Sequence, residues 1–399
     1  MLIGAHGQAP ISQLTSLRFF AAVLVFLSHL VFLERSGDPI LTGLYDLVLQ
    51  QGACGVTFFF LLSGFILTHA YEHALKEGRV SLATYLYRRV VRIFPLHLMV
   101  ALAFLTYLLL RHELTMVQAV LPNLTLLHSW FADPLVHYSL NGPSWSLSDE
   151  LFFYALFPLL VKVHRTTLRG IFIAGMLTIL AGACIVAQRV DGYSSRVEWL
   201  FYVLPVTRLF EFIAGMLLYR AWRAGTGRSW ATTGMEVFLA LVVLAIMFSL
   251  EWFAIPLVFR YQLAFLPPMA ALILVFAHGR GGLSRMLRTP VLQRLGEASF
   301  ALYLVHRPMI TFSERWTGGG AASDAGLALA MLLLAVGASV AVFALLDQPL
   351  QRWLRRHDIT KAIASRFAAG KGTLDDGRSV GSGPSRFNLP DPPETAQQR

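Results

Sequence analysis

Charge is what this sequence has least of. Only 14% of its 399 residues are Asp, Glu, Lys or Arg, against about 25% in a soluble protein. That excludes an ordinary soluble fold, and the many long apolar runs point instead to repeated membrane crossings. Cysteine is equally scarce. Cys54 and Cys184 stand in apolar surroundings at no ligand spacing, which excludes a disulfide framework and a cysteine metal site. No GxGxxG or Walker A sequence occurs, so these glycine-rich phosphate cradles are absent. No internal repeat is visible. The net charge of +10 would suggest nucleic acid in a soluble chain; in a membrane chain it sets orientation, and no nucleic-acid partner is expected. The first 17 residues hold no Lys or Arg and the first apolar run is long enough to span, so no cleavable leader is expected.

What is present is ten apolar segments, at residues 16–34, 48–71, 93–110, 148–161, 170–187, 199–219, 234–251, 259–277, 296–313 and 324–347. Fifteen basic residues fall on alternate connectors, among them Arg88, Arg89 and Arg92, and six on the others. The expectation is an all-α polytopic integral membrane protein with about ten transmembrane helices and both termini cytoplasmic, in a cell's inner or plasma membrane. Arg352, Arg355 and Arg356 read as a basic anchor at the inner leaflet. The stretch 356–399 turns polar and rich in Gly, Ser and Pro, as a largely disordered cytoplasmic tail would.

Polar residues inside apolar segments are expensive and mark sites. Four groups stand out. In the first, Arg18 and His29 lie in TSLRFFAAVLVFLSHLVFL (residues 15–33). Eleven positions apart, they differ by about 20° around a helix and stand about 16 Å apart along it. In the second, YLYRRVVRIFP (residues 85–95) puts Arg88, Arg89 and Arg92 at the start of a span; guanidinium forks suit phosphates, though three arginines there also read as an orientation anchor. In the third, NGPSWSLSDELFFYALFP (residues 141–158) carries Trp145, Ser146, Asp149 and Glu150, the acids suiting either a site or the dipole of a helix start. In the fourth, LGEASFALYLVHRP (residues 295–308) carries Glu297, Tyr303 and His306. Arg208 and Glu211, at i and i+3, form either a neutralising pair or part of the site. The sequence His69-Ala70-Tyr71-Glu72-His73 matches the HxxEH zinc pattern, but no third ligand is evident and no metal is expected.

In this order, Arg18-x10-His29, GVTFFFLLSGFILT (residues 55–68), YRRVVRIFP, PSWSLSDELFFY and LGEASFALYLVHRP resemble the acyltransferase 3 family of membrane-bound O-acyltransferases, over residues 12–350. The resemblance implies a transmembrane acyltransferase domain over residues 1–355. It implies transfer of an acyl group, chiefly acetyl, from cytosolic acyl-CoA to a hydroxyl of a polysaccharide, lipopolysaccharide, peptidoglycan or exported small molecule. His29 matches the family's essential histidine, Arg18 its partner and Glu150 the acid of the outer Trp-Ser-Leu motif. Arg88, Arg89 and Arg92 match the basic motif for the CoA phosphates, and His306 the ninth-helix histidine. Trp145, Ser146, Tyr303 and His306 are then expected at the acceptor. Phe300 and Arg307 depart from the family pattern, where Tyr and often Trp stand.

Chemically, a hydroxyl attacks a thioester poorly unless a base takes its proton, and a buried neutral imidazole is suited to that role. His29 is the expected base. Direct transfer and an acyl-histidine intermediate are both open. A second reading, a transporter or flippase using the same buried His, Arg and Glu residues, lacks the paired broken helices such folds carry.

Overall fold

The computed structural model describes residues 10–113, 116–189, 194–313, 321–358 and Thr360. Nearly all of the expected tail, 356–399, lies outside them. No strand occurs among the described residues. Ten longer helices carry the fold: α1 (Ser12–Ser28), α2 (Gly55–Lys76), α3 (Leu82–Leu110), α4 (Trp145–Leu160), α5 (Arg165–Ala187), α6 (Pro205–Arg223), α7 (Thr233–Trp252), α8 (Leu266–His278), α9 (Pro290–Ser313) and α10 (Ala321–Val342). Helices are the expected answer in lipid, because they satisfy their own backbone without water. Six stretches among the described residues are long and apolar enough to cross a membrane; they contain α2, α3, α5, α6, α7 and most of α10, while α1 and α8 are apolar but shorter.

Each of the ten predicted segments overlaps one of these helices, with three boundary changes that matter. First, α1 stops at Ser28, whose carbonyl accepts from the Tyr45 hydroxyl at 3.0 Å. His29 is therefore the C-cap of the helix and not a mid-helix residue. Second, α3 starts at Leu82, where the Ser81 hydroxyl accepts from the Thr84 amide at 3.1 Å. The arginine motif thus sits within α3 and not ahead of it. Third, α10 passes through a π-helical turn, Phe343–Asp347, into a short helix, Gln348–Arg356. Such turns shift side-chain register locally.

Helices in lipid gain little from apolar burial against each other, so close backbone approach matters. Gly64 of α2 and Gly215 of α6 supply it reciprocally. A Cβ on Gly64 would stand 2.0 Å from the Phe212 carbonyl oxygen, and one on Gly215 would stand 2.0 Å from that of Leu61. At the other side, Gly296 of α9 meets α1 so closely that a Cβ would lie 2.1 Å from the Thr15 carbonyl oxygen. α1 is also tied to its neighbours by polar bonds: the Ser16 hydroxyl donates to the Leu287 carbonyl at 2.6 Å, and Gln13 Nε2 donates to that of Phe276 at 2.8 Å.

The connector between α3 and α4 is built into the bundle. Asn123 Nδ2 donates to the Ser139 carbonyl (2.7 Å), Asn141 Nδ2 to that of Leu304 (2.9 Å) and the Ser148 hydroxyl to that of Leu126 (2.6 Å). His128 and His137 are fully buried there. Burial holds the His128 imidazole down to about 3.

Two outcomes follow. Gly215→Val should force α2 and α6 apart and abolish recovery of monodisperse protein in detergent, whereas Gly234→Val, where a Cβ meets only the neighbouring Thr232 hydroxyl at 4.0 Å, should not. Because His128 stays neutral when folded while the unfolded residue charges below about pH 6.5, stability should be lost as pH falls from there toward 4. The thermal midpoint measured against pH should show that slope, and His128→Gln should flatten it.

Candidate active site

Three cavities with shared walls carry the polar residues. The first, about 340 Å³, is lined by Arg18 of α1, Arg92 of α3, Glu297 of α9 and Arg352 and Arg355 of the short helix after α10. The second, about 140 Å³, shares Arg18, Arg92 and Arg355 with it and adds Arg89, Ser63, Ser146, Glu150, Tyr154 and Tyr303. The third, about 450 Å³, shares Val56 and Tyr303 with the second and holds His29, Trp145, Tyr138 and Arg307. The sequence of cavities thus leads from an arginine-rich end to a histidine.

In the arginine-rich half, Arg92 Nη1 pairs with Asp347 Oδ2 at 3.5 Å and lies over the Phe300 ring at 4.8 Å. The π-helical turn at 343–347 is what brings Asp347 there. Arg89 Nη2 donates to the Tyr71 hydroxyl at 3.0 Å, with its guanidinium over the Tyr71 and Tyr154 rings. Both are cation–π and hydrogen-bonded arrangements that fix a guanidinium in low dielectric. Arg88 does not line any of the three cavities.

Glu150 is placed on the arginine side of Tyr303. It accepts from the Ser63 hydroxyl at 3.0 Å and from the Tyr154 hydroxyl. The sequence groups it with Trp145 in one motif, but the two stand five positions apart on α4 and line different cavities. Between those cavities stand the hydroxyls of Ser146 and Tyr303. They lie 2.7 Å apart and reach the Pro143 carbonyl at 3.0 and 2.9 Å.

Beyond that partition, His29 and His306 face each other edge-on with ring centroids 5.0 Å apart. His29 Nδ1 lies 2.8 Å from the Val25 carbonyl oxygen, and His306 Nδ1 lies 3.1 Å from that of Leu302. A carbonyl oxygen only accepts, so each neutral ring carries its proton on Nδ1 and keeps the lone pair on Nε2. His29 Nε2 is thereby the atom fit to take a proton. His306 is fully buried, with Nε2 lacking a hydrogen-bond partner. Around the third cavity, burial and the Glu198 carboxylate, which accepts from Tyr138 at 2.8 Å, push the Tyr138 phenol up, keeping it neutral. Leu140, in the same wall, is held at φ 51°, a conformation costing about 1–2 kcal/mol in a residue with a Cβ.

Arg208 and Glu211 are fully buried and pair at 3.1 Å. The guanidinium sits among Phe60, Trp145 and Tyr202, at 5.2, 6.0 and 5.4 Å from their centroids. The pair therefore backs Trp145. The HxxEH sequence is used structurally: Glu72 pairs with Lys76 at 2.8 Å and Arg220 at 3.0 Å, and His69 lies edge-on to Tyr219 and Trp222. Sequence reasoning missed Ser63, Tyr154 and Arg355. The first two are uncharged side chains within largely apolar stretches, and the third hides in a run that reads as an anchor.

A helical membrane protein with an arginine cluster at one end of its internal space and a pair of imidazoles at the other belongs to the class of membrane-embedded enzymes or transporters. The comparisons decide between them. A family model described as an acyltransferase domain matches residues 11–346. The acyltransferase MdmB of Streptomyces mycarofaciens is 31% identical over 86% of this chain and 92% of its own length. The exopolysaccharide production protein ExoZ of Rhizobium meliloti is 27% identical over 79% and 95%. The O-acetyltransferase OatA of Staphylococcus aureus is 24% identical over 85% of this chain but only 57% of that protein. No solved structure matches. The chain belongs to the acyltransferase 3 family and is a membrane acyltransferase; the transporter reading is not favoured.

Removing one partner of the Arg208–Glu211 pair leaves a buried charge uncompensated, which costs about 3–5 kcal/mol. Glu211→Ala should therefore lower the thermal midpoint sharply, while the double substitution Arg208→Met with Glu211→Leu should recover most of it.

Proposed function

We propose that the protein transfers an acyl group, chiefly acetyl, from cytosolic acyl-CoA to a hydroxyl of a carbohydrate or glycoconjugate on the far side of the membrane. All ten helices cross in this reading, with both termini cytoplasmic in the inner or plasma membrane, so the arginine-rich cavity faces the cytosol. The observation that carries the reading is the run of three cavities sharing Arg18, Arg92 and Arg355 and then Val56 and Tyr303, ending at His29.

The charged end of the donor is held by Arg18, Arg89 and Arg92, whose forks match phosphate oxygens. The pantetheine arm extends along α1, and the roughly 16 Å rise between Arg18 and His29 is of the order that arm spans. The acceptor comes from outside past Trp145. Its hydroxyl oxygen attacks the thioester carbonyl while His29 Nε2 takes the proton; the carbon–sulfur bond then breaks and the thiolate leaves to be protonated. General-base help of this kind is worth about 10²–10⁴ in rate. His306, edge-on to His29, fixes the ring that does this. The relatives named for exopolysaccharide production and O-acetyl transfer support a carbohydrate hydroxyl as acceptor.

His29→Ala should lower turnover at least 100-fold in protein that still runs as a single species in detergent. Arg89→Ala should raise the KM for acyl-CoA while leaving kcat within about threefold. In cells, mass spectrometry of surface glycans and secreted glycosides should show an ester lost on deletion, restored by the wild-type chain and not by His29→Ala. A folded His29→Ala protein with full activity overturns the mechanism.

A further inference from the structure

The four guanidiniums around the first cavity are not balanced. Arg18, Arg92, Arg352 and Arg355 face it with one carboxylate, Glu297, in its wall. Asp347 engages Arg92 from outside the lining. Like charges gathered at the end of an apolar bundle repel one another, so the arrangement suits an anion of more than one charge.

Arg355 is the member that sequence reasoning assigns to a membrane anchor. Its environment differs from that of an anchor. It lines both the first and the second cavity, and its Nε is buried without a hydrogen-bond partner. Its Nη2 donates to Gln351 Oε1 at 3.2 Å, Gln351 Nε2 donates to Asp347 Oδ1 at 2.7 Å, and Asp347 Oδ2 meets Arg92 at 3.5 Å. One carboxylate and one amide thus hold Arg92 and Arg355 in register across the cavity. Arg356, next in sequence, is exposed and lines none of the three cavities.

We propose that Arg355, with Arg352 beside it, is a substrate-binding residue that takes the phosphoryl groups of a phosphorylated ligand in the first cavity, the charged end of the acyl donor. This rests on the donor reading given above. The same phosphoryl chemistry is offered by anionic lipid headgroups, and the experiment separates the two.

Full-length protein in nanodiscs of neutral phosphatidylcholine would be titrated calorimetrically with acetyl-CoA and with S-acetylpantetheine, which lacks every phosphate. Arg355→Gln should weaken acetyl-CoA at least tenfold and Arg352→Gln by a few-fold. Arg355→Lys should fall between, and S-acetylpantetheine should bind all variants alike. Arg356→Gln, which removes the same charge from the same helix, should change nothing.

Equal affinities in wild type and Arg355→Gln, where the wild type binds acetyl-CoA, overturn this inference alone. Equal weakening by Arg356→Gln, or weakening of S-acetylpantetheine as well, also overturns it, as a general or structural effect. A loss that appears only in discs containing phosphatidylglycerol assigns the residue to lipid and overturns it too. A wild type that does not bind acetyl-CoA at all overturns both this inference and the donor reading.

Discussion

The contact between α2 and α6 is the constraint on which the rest of the site depends. With no apolar driving force between helices in lipid, association relies on how closely backbones approach and on polar groups paired across the seam. Gly64 and Gly215 let each helix touch the other's carbonyls. That closeness puts Arg208 of α6 within 3.4 Å of the Thr57 hydroxyl of α2 and against Phe60, and its ion pair with Glu211 is buried by the same contact. The caged guanidinium in turn forms the back of Trp145. A glycine contact thus fixes an aromatic ring that lines the histidine cavity.

α1 does the complementary work. Its Arg18 lines the two cavities at one end and its C-cap His29 lines the third. Ending the helix at Ser28 matters: the last turn leaves carbonyls without intrahelical partners, and the Val25 carbonyl is the one that sets the His29 tautomer. Charge and basicity are therefore separated along one helix. Arg18 sits where a charged ligand can be held, and His29 sits at the far end of the same helix, in the cavity that Arg307 also lines.

The helices were legible in the sequence because long apolar runs leave lipid-buried backbone few alternatives. The polar residues of the candidate site were legible wherever a charge or an imidazole interrupts such a run, as Arg18, His29, Arg92, Arg208 and His306 do. Three kinds of fact were not legible. Where α1 ends depends on Tyr45 reaching the Ser28 carbonyl, a tertiary contact with no local signal. The cavity that Glu150 faces depends on α4 packing and not on its neighbour Trp145. Arg88 and Arg355 were read by spacing and by composition, and the structure places them otherwise: Arg88 lines none of the three cavities, while Arg355, in the short helix after the π-helical turn, lines two.

On the reading proposed above, the partition at Tyr303 bears on why such a protein holds its substrates apart. Donor and acceptor spaces share Val56 and Tyr303, and the Tyr303 hydroxyl is engaged by Ser146 and the Pro143 carbonyl. A hydroxyl pair bonded to a carbonyl at the junction of two cavities opposes a free column of water between them. Water beside a thioester and a general base would give hydrolysis in place of transfer. A junction of two hydroxyls and one valine is small enough to yield to an acyl chain with its thioester. It is also polar enough, through those hydroxyls, to face the carbonyl oxygen on which charge develops during attack. The same few atoms that separate the two sides are therefore placed where the two substrates must meet.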